Sequence, residues 1–565
     1  MKKVTVGFKN PLLNGILILL MALFVFSLFK NIQYPLLWND ESETAMHAGR
    51  VLQYGYPKVH DGKNIVNITG LPEGIDIDKK SDAYLGHVWG QYYFSAIGVF
   101  FARSINDIYI KTAVVRIPFA LTGFIGLVIM GLIMFGFFKK DQAVGLLFLI
   151  FFVFFELLST SLVLHLREAK YYSLVIFLSA ALLYIYINYR FNKKINPAAY
   201  CFFSVVFLFL LFNTFPPVFF IYIFTVTFYE LFDLLKRRQI KDFMVNLLPL
   251  ITAFIACIPL LIFFKFLSPA KGDLAISLRL SFVEQSARII SLWHFFLKYE
   301  FLSLVLVVKA VSVILRLYLR KLGRLKCFDT QKFDGVWQKA QSSDFLSLFF
   351  LIYILVITKL PGSTIFVRYY ITLQPVLVLI LLLDAAVIFE ILFNRDGHPF
   401  RIPAKAVIIF IISATFVIDG LGKMEPIQNH IYEIFHQYQG PLDFIIPYLK
   451  FHYKEPKDLV IATNYEEYSY MYYLGSKTII GYDYINLEED LKSQPDVIVF
   501  RKKYTEAADL FNLLLRKSRY RRVSFPCFDY PYNNISDLYV KFYPHLFKTK
   551  LAENNEQRVD IYIKF

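Results

Sequence analysis

Apolar residues along most of this chain fall in long unbroken runs, with no helical or strand periodicity of polar positions inside them. The stretch PLLNGILILLMALFVFSLF, from Pro11 to Phe29, carries no charge, and about 20 such residues in a helix cross the hydrocarbon core of a bilayer. Comparable runs lie near 114–138, 143–165, 171–189, 198–214, 216–235, 243–266, 301–319, 344–360, 369–393 and 405–420, so the pattern predicts about eleven transmembrane helices.

The polar segments between these runs alternate in character. Lys139-Lys140, Arg190 with Lys193-Lys194, Lys236-Arg237-Arg238, Arg320 to Lys339 and Arg395 to Lys405 form a basic set, which the positive-inside rule assigns to the cytosol. Lys2, Lys3 and Lys9 precede the first run, and no small-residue cleavage site follows it, so that run is expected to stay as an anchor with a cytosolic N-terminus. Residues 30–112, 267–300 and 421–565 then face outward. The segment Tyr84 to Ala102 would break the alternation if it spanned; it carries His87, Trp89 and Gln91 and is expected to be an interfacial helix.

The pattern changes near residue 421. DLVIAT (458–463), TIIGY (478–482), DVIVF (496–500), RRVSF (521–525) and RVDIYIKF (558–565) read as strands, with helical patterns at Tyr465–Leu474 and Thr505–Arg516. Strands alternating with helices predict a small α/β domain. The expected organisation is a transmembrane catalytic domain over residues 1–420 and an extracytoplasmic α/β domain over 421–565.

Composition agrees. Of the 565 residues 57% are hydrophobic and mean hydropathy is +0.49, which excludes a soluble protein of this size. Much of the +16 net charge sits in the orientation-setting loops, so it signals membrane placement and no nucleic-acid partner. The four cysteines, Cys201, Cys257, Cys327 and Cys527, have no metal-ligand spacing and form no disulfide framework.

Candidate chemistry begins after the first helix, in WNDESETAMHAGRVLQYGYPKVHDG (Trp38 to Gly62). Asp40 and Glu41 are adjacent carboxylates at the start of an apparent helix. In one reading Asn39 or Asp40 caps that helix while Glu41 and Glu43 complement its dipole. In the other, one carboxylate takes a proton from a hydroxyl and its neighbour positions it or a metal. Arg103, Arg116, Arg167, Lys170, Arg288, Lys298 and Arg368 fall at the outer headgroup level, as interfacial anchors or as ligands for an anion. Glu156, nine positions before His165, is expected about 13 Å below the outer end of its helix, either as a functional acid or hydrogen-bonded between helices, with Asn213 a candidate partner.

Four segments together resemble the GT-C membrane glycosyltransferases, closest to protein O-mannosyltransferases and lipid A aminoarabinose transferases. They are Trp38 with Asp40-Glu41, followed by a helix ending in Arg, Gly-Tyr-Pro and Asp-Gly; Arg116-Ile-Pro-Phe-Ala-Leu-Thr-Gly; Leu166-Arg-Glu-Ala-Lys-Tyr-Tyr; and Phe366-Val-Arg-Tyr-Tyr-Ile-Thr-Leu-Gln-Pro. No His-Pro-Pro-Leu occurs, Tyr84 to Gln91 standing in its place, which argues against a eukaryotic-type protein mannosyltransferase. The resemblance implies a GT-C-like α-helical polytopic membrane protein that moves a hexose or pentose, with inversion, from a polyprenyl-phosphate donor to a hydroxyl of a lipid, glycan or protein acceptor. It implies Asp40 as general base with Glu41 beside it, and Arg368, Arg167, Arg116 and Lys170 on the donor phosphate. Tyr369, Glu168 and His87 would contact substrate. A divalent metal is left open as the one cofactor. Two rival readings remain: a transporter or flippase of lipid-linked sugars, and a glycan polymerase or ligase with a lipid-diphosphate donor.

Overall fold

The structure is a computed structural model that describes residues 10–67, 76–138, 141–266, 268, 281–321, 330–360, 367–393, 402–437, 439–482, 484, 486–501, 508–527 and 558–565. The chain opens with α1 (Pro11–Phe29), α2 (Asn39–Tyr54), the two-residue strands β1 (Ile77–Asp78) and β2 (Ala83–Tyr84), and α3 (Gly90–Ala102). The bundle continues through α4 (Ile108–Phe135), α5 (Gln142–Leu158), the short α6 (Leu162–Leu166), α7 (Tyr172–Arg190), α8 (Pro197–Thr214), α9 (Pro216–Arg237) and α10 (Ile240–Phe263). After these come α11 (Phe282–Tyr299), α12 (Leu302–Lys321), α13 (Thr330–Ile357), a 3-10 turn at Val367–Tyr370, α14 (Leu373–Phe393), α15 (Ile402–Gly422), α16 (Met424–Phe435) and α17 (Pro441–His452).

Ten of the described helices are long and apolar enough to cross a membrane, and α5, at 17 residues, is a shorter apolar one. The protein is an integral, multi-pass membrane protein. Three boundaries differ from expectation. The run at 143–165 does not continue as one helix: it stops at Leu158, because Ser159-Thr160-Ser161 offers hydroxyls to a neighbouring carboxylate, and α6 starts afresh. Glu156 therefore sits in the last turn of α5. The segment 267–300 is no simple loop; α11 begins at a capping box, Ser281 with Glu284, and buries Leu292, Phe295, Phe296 and Tyr299 while Phe282, Val283 and Ile290 stay exposed. Tyr84 lies in β2 rather than at the start of the interfacial helix.

Close backbone approach fixes the helices that carry the site. A Cβ on Gly126 of α4 would lie 2.9 Å from the Phe177 backbone of α7, and one on Gly98 of α3 would lie 2.9 Å from Val115 Cα of α4. Only glycine fits there. At the opposite end of the bundle the basic helix ends converge: Arg190 pairs with Glu230 and Asp233, Lys194 Nζ donates to Gly136 O, and Lys339 pairs with Glu390. Lys139-Lys140 and Arg395 to His398 lie outside the described residues.

The C-terminal part folds into a five-stranded sheet built from β3 (Val460–Thr463), β4 (Lys477–Ile480), β5 (Val497–Phe500), β6 (Tyr520–Phe525) and β7 (Val559–Lys564), with spatial order β4-β3-β5-β7-β6. The strands β4, β3 and β5 run parallel, and β7 is antiparallel to both β5 and β6. Between them lie α18 (Glu467–Leu474), α19 (Leu487–Asp490) and α20 (Ala508–Lys517). All five expected strands are present; α18 starts two residues after the expected 465, and the first three residues of the helix expected from 505 lie outside the described residues. The unit rests on α2: Ser42 Oγ and Ser469 Oγ are 2.9 Å apart, Tyr473 OH accepts from Leu37 N at 2.9 Å, and Tyr468 OH donates to Asn67 O at 2.7 Å.

Candidate active site

Helix α2 starts without a side-chain cap. Trp38 occupies the cap position, and neither Asn39 nor Asp40 bonds the free amides of the first turn. The two carboxylates that follow take opposite directions. Glu41 is fully buried and bound in a fork by Arg116 of α4, Nε to Oε1 at 2.8 Å and Nη2 to Oε2 at 2.5 Å, and it also accepts from Ala169 N at 2.8 Å. Arg116 spends its remaining nitrogen on Ile32 O at 2.9 Å and Pro35 O at 2.8 Å. This residue was expected at the donor phosphate. At 1% exposure and with every nitrogen engaged, it instead locks the start of α2 to α4.

Asp40 keeps 24% of its side chain exposed, and its Oδ2 lies 3.5 Å from Arg368 Nη2. Arg368 comes from the 3-10 turn before α14, and its guanidinium lies 5.1 Å from the Trp38 ring centroid and 5.7 Å from that of Tyr369. Such stacking holds a guanidinium in place at little cost in charge. Tyr369 is stacked at 6.1 Å on Phe215, which stacks at 4.7 Å on Tyr171, so an aromatic wall runs beside the Asp40–Arg368 pair. Arg167 donates to Lys30 O at 2.7 Å, joining the loop before α7 to the end of α1. Glu168 is buried and faces His165 Nδ1 at 3.0 Å; burial raises its pKa, against the pull of His165.

Lys170 reaches Glu43 Oε2 at 2.8 Å and the Asp40 carbonyl at 3.4 Å. Burial would lower its pKa, yet the Glu43 and Asp40 charges prevail and raise it, so it stays an ammonium. Glu43 also accepts from Tyr92 OH of α3 at 2.5 Å, and its pKa is raised by burial against Lys170 and Tyr92. His47, one turn further along α2, lies 3.8 Å from Glu43. Burial, then the Arg50, His87 and Lys170 charges, hold it well below the usual imidazole range, so it is neutral at pH 7. His87, expected at the substrate, is exposed and meets Tyr84 edge-on at 6.1 Å; the histidines buried beside carboxylates are His47, at Glu43, and His165, at Glu168.

The sequence reading missed Glu43 as a salt-bridge partner, and gave no role to His47 or Tyr92. The signal for Glu43 and His47 is the spacing Asp40, Glu43, His47, Arg50, which puts all four along one stripe of a helix; Tyr92 comes from α3 and has no such signal. The donor set fits a metal poorly. Both oxygens of Glu41 and both of Glu43 are occupied by protein donors, and Arg368 and Lys170 already supply positive charge at Asp40. Among the described residues no group of three or more His, Cys, Asp or Glu side chains forms a metal centre.

No protein-family model and no curated protein matches the sequence. Among solved structures the chain is similar to the archaeal oligosaccharyltransferase AglB from Archaeoglobus fulgidus in complex with an inhibitory peptide and a dolichol-phosphate, at 11% identity and a TM-score of 0.48, covering 90% of this chain and 71% of that one. It is also similar to ArnT from Cupriavidus metallidurans bound to undecaprenyl phosphate, at 10% identity and a TM-score of 0.47, covering 97% and 98%.

Proposed function

We propose that the protein is an inverting GT-C-type glycosyltransferase that moves a sugar from a polyprenyl-phosphate donor to an acceptor hydroxyl on the outer face of the membrane. The observation that carries this reading is the isolation of Asp40: it alone of the three carboxylates at the start of α2 is accessible, it is free of capping duty, and it lies beside Arg368. In the reaction the acceptor oxygen attacks the anomeric carbon while Asp40 takes the hydroxyl proton. The bond from that carbon to the phosphate oxygen breaks, and polyprenyl phosphate leaves with the electron pair. Arg368, with Arg167 and Lys170 behind it, balances the charge that grows on the leaving phosphate. Tyr369 offers a ring face to the sugar. Glu41 and Arg116 act as positioning residues, and no step requires a metal.

The test is Asp40→Asn in the purified full-length protein, assayed with a panel of labelled polyprenyl-phosphate and polyprenyl-diphosphate sugars. Turnover should fall on the order of 100-fold to 10,000-fold with donor binding retained. Wild-type turnover in the folded variant would sink the assignment. Release of polyprenyl diphosphate by the wild type would favour the polymerase or ligase reading, and movement of lipid-linked sugar without release of either phosphate would favour the flippase.

A further inference from the structure

A second pair of acids lies in the bundle, apart from the Asp40 site. Glu156, in the last turn of α5, is 1% exposed, and among the described residues neither of its carboxyl oxygens has a hydrogen-bond partner. Glu300, at the junction of α11 and α12, is 3% exposed and accepts from Ser159 and Ser161 hydroxyls, each at 3.1 Å. Gln374 of α14 donates to Ser161 Oγ at 3.3 Å. Glu156, Ser159, Glu300 and Gln374 are the polar groups in the wall of one void of about 10 Å³, otherwise lined by Phe155, Phe301 and aliphatic side chains. That is room for one water-sized particle. On its other side Glu156 borders an apolar cleft of about 100 Å³ with no other polar residue in its lining.

Two buried carboxyl groups in the wall of one void must be neutralised. The Lys423 charge acts on Glu300, but its ammonium is bound by the Asp419 carboxylate and donates to Leu297 O at 3.1 Å, so Asp419 offsets that charge. The two acids of the cluster must therefore be neutralised by protons or by a cation held between them. The cluster's donors are all oxygens, which select a hard cation. The void has no space for the waters that magnesium retains, whereas calcium accepts irregular sets of carboxylate, hydroxyl and amide oxygens.

We propose that Glu156 and Glu300, with Ser159 and the Gln374 amide, bind one calcium-like divalent cation. The ion would join α5, the α11–α12 junction and the first turn of α14. Ser161 leads through α6 to Arg167 and Lys170, and α14 follows directly on the turn that carries Arg368. The cation thus sets the distance between the two sources of positive charge at the Asp40 site without touching substrate.

The experiment uses the full-length protein in detergent, stripped with chelator, and follows thermal unfolding while Ca2+, Mg2+ or Na+ is added, together with the stoichiometry of 45Ca binding. Wild type should gain a saturable upward shift of several degrees with Ca2+ and a smaller one or none with Mg2+, and should bind one Ca2+ per chain. Glu156→Gln should remove the shift while melting, without calcium, at or above the stripped wild type, since the amide needs neither a proton nor a counter-ion to be neutral. Ser159→Ala, which keeps both acids, should weaken calcium affinity severalfold and so tests the site even if Glu156→Gln does not fold. No calcium response in wild type overturns the proposal. So does an unchanged response in both variants, and so does a dependence on pH alone, which would mean that the pair holds protons.

Discussion

Asp40 and Glu41 are neighbours in sequence with opposite fates, and the cause is the residue each one meets. Glu41 points at Arg116 and Ala169 N and is sealed; Asp40 points at Arg368 and the aromatic wall and stays open. A buried, hydrogen-bonded ion pair is costly to break on one side only, typically about 3–5 kcal/mol, because the surviving charge is stranded. Arg116→Met should therefore lower the melting temperature strongly, and any loss of transfer should follow the loss of folded protein. Arg368→Lys should do the reverse: it keeps a positive charge but loses the planar fork and the stacking on Trp38, so melting should change little while transfer and donor affinity fall. Thermal melts paired with donor-dependent rates separate the two. If Arg116→Met melts like wild type and loses only donor affinity, Arg116 belongs on the phosphate after all.

At the scale of elements, α2 is held from three sides: by α3 through Tyr92, by α4 through Arg116, and by α18 of the C-terminal part through Ser469. The glycine contact between α4 and α7 sets the distance between Arg116 and the Arg167–Lys170 loop. Gly126→Leu has no space against the Phe177 backbone, so it should cost folded yield and stability, whereas a leucine at lipid-facing Leu121 or Leu132 is already tolerated. Asp443, in the first turn of α17, gives a pH signature. Its Oδ2 accepts from Gly440 N at 2.9 Å, and burial pushes its pKa up to about 7 from an ordinary 3.8. The folded state then binds this proton more tightly than the unfolded state, so the group's contribution falls as pH rises from about 4 to about 7 and is level above that. Asp443→Asn keeps the acceptor and cannot titrate. Its stability relative to wild type should rise across that window, as read from melts at pH 4.5, 6 and 8; a difference that is constant with pH would show that Asp443 is not the group.

The same scale shows what was legible in the sequence. Helices apolar all round, such as α1 and α14, announce themselves, because lipid or protein covers every face. Helices α11, α16 and α17 did not, since each carries polar and charged residues along one side and lies in segments whose polar residues read as loop. The break after Leu158 went unseen because the Ser-Thr-Ser stretch looks compatible with a helix until Glu300, 139 to 141 positions away, is known to draw two of its hydroxyls. Asp40 stood out through adjacency to Glu41. The pairing of Glu43 with Lys170 and Tyr92 could not be read, because each partner comes from a different element.

For the whole molecule, two features fix which parts share a side. The C-terminal sheet unit packs on α2 and so lies at the same end of the bundle as Asp40 and Arg368, while the ion pairs of Arg190 and Lys339 gather the basic helix ends at the other. The proposed direction rests on the charge asymmetry: with the basic ends retained in the cytosol, as the positive-inside rule predicts, the sheet unit and Asp40 would lie outside, where a lipid-phosphate sugar and its acceptor would meet. A protease added to the outside of intact cells or spheroplasts should therefore remove the chain beyond about residue 421 and leave the basic 320–340 segment uncut until the membrane is opened. Because the sheet unit and Asp40 share one end, a single experiment tests both. Protection of the tail with cleavage at 320–340 would invert the molecule, place Asp40 on the cytosolic side, and remove the outer-face glycosyl transfer proposed for it.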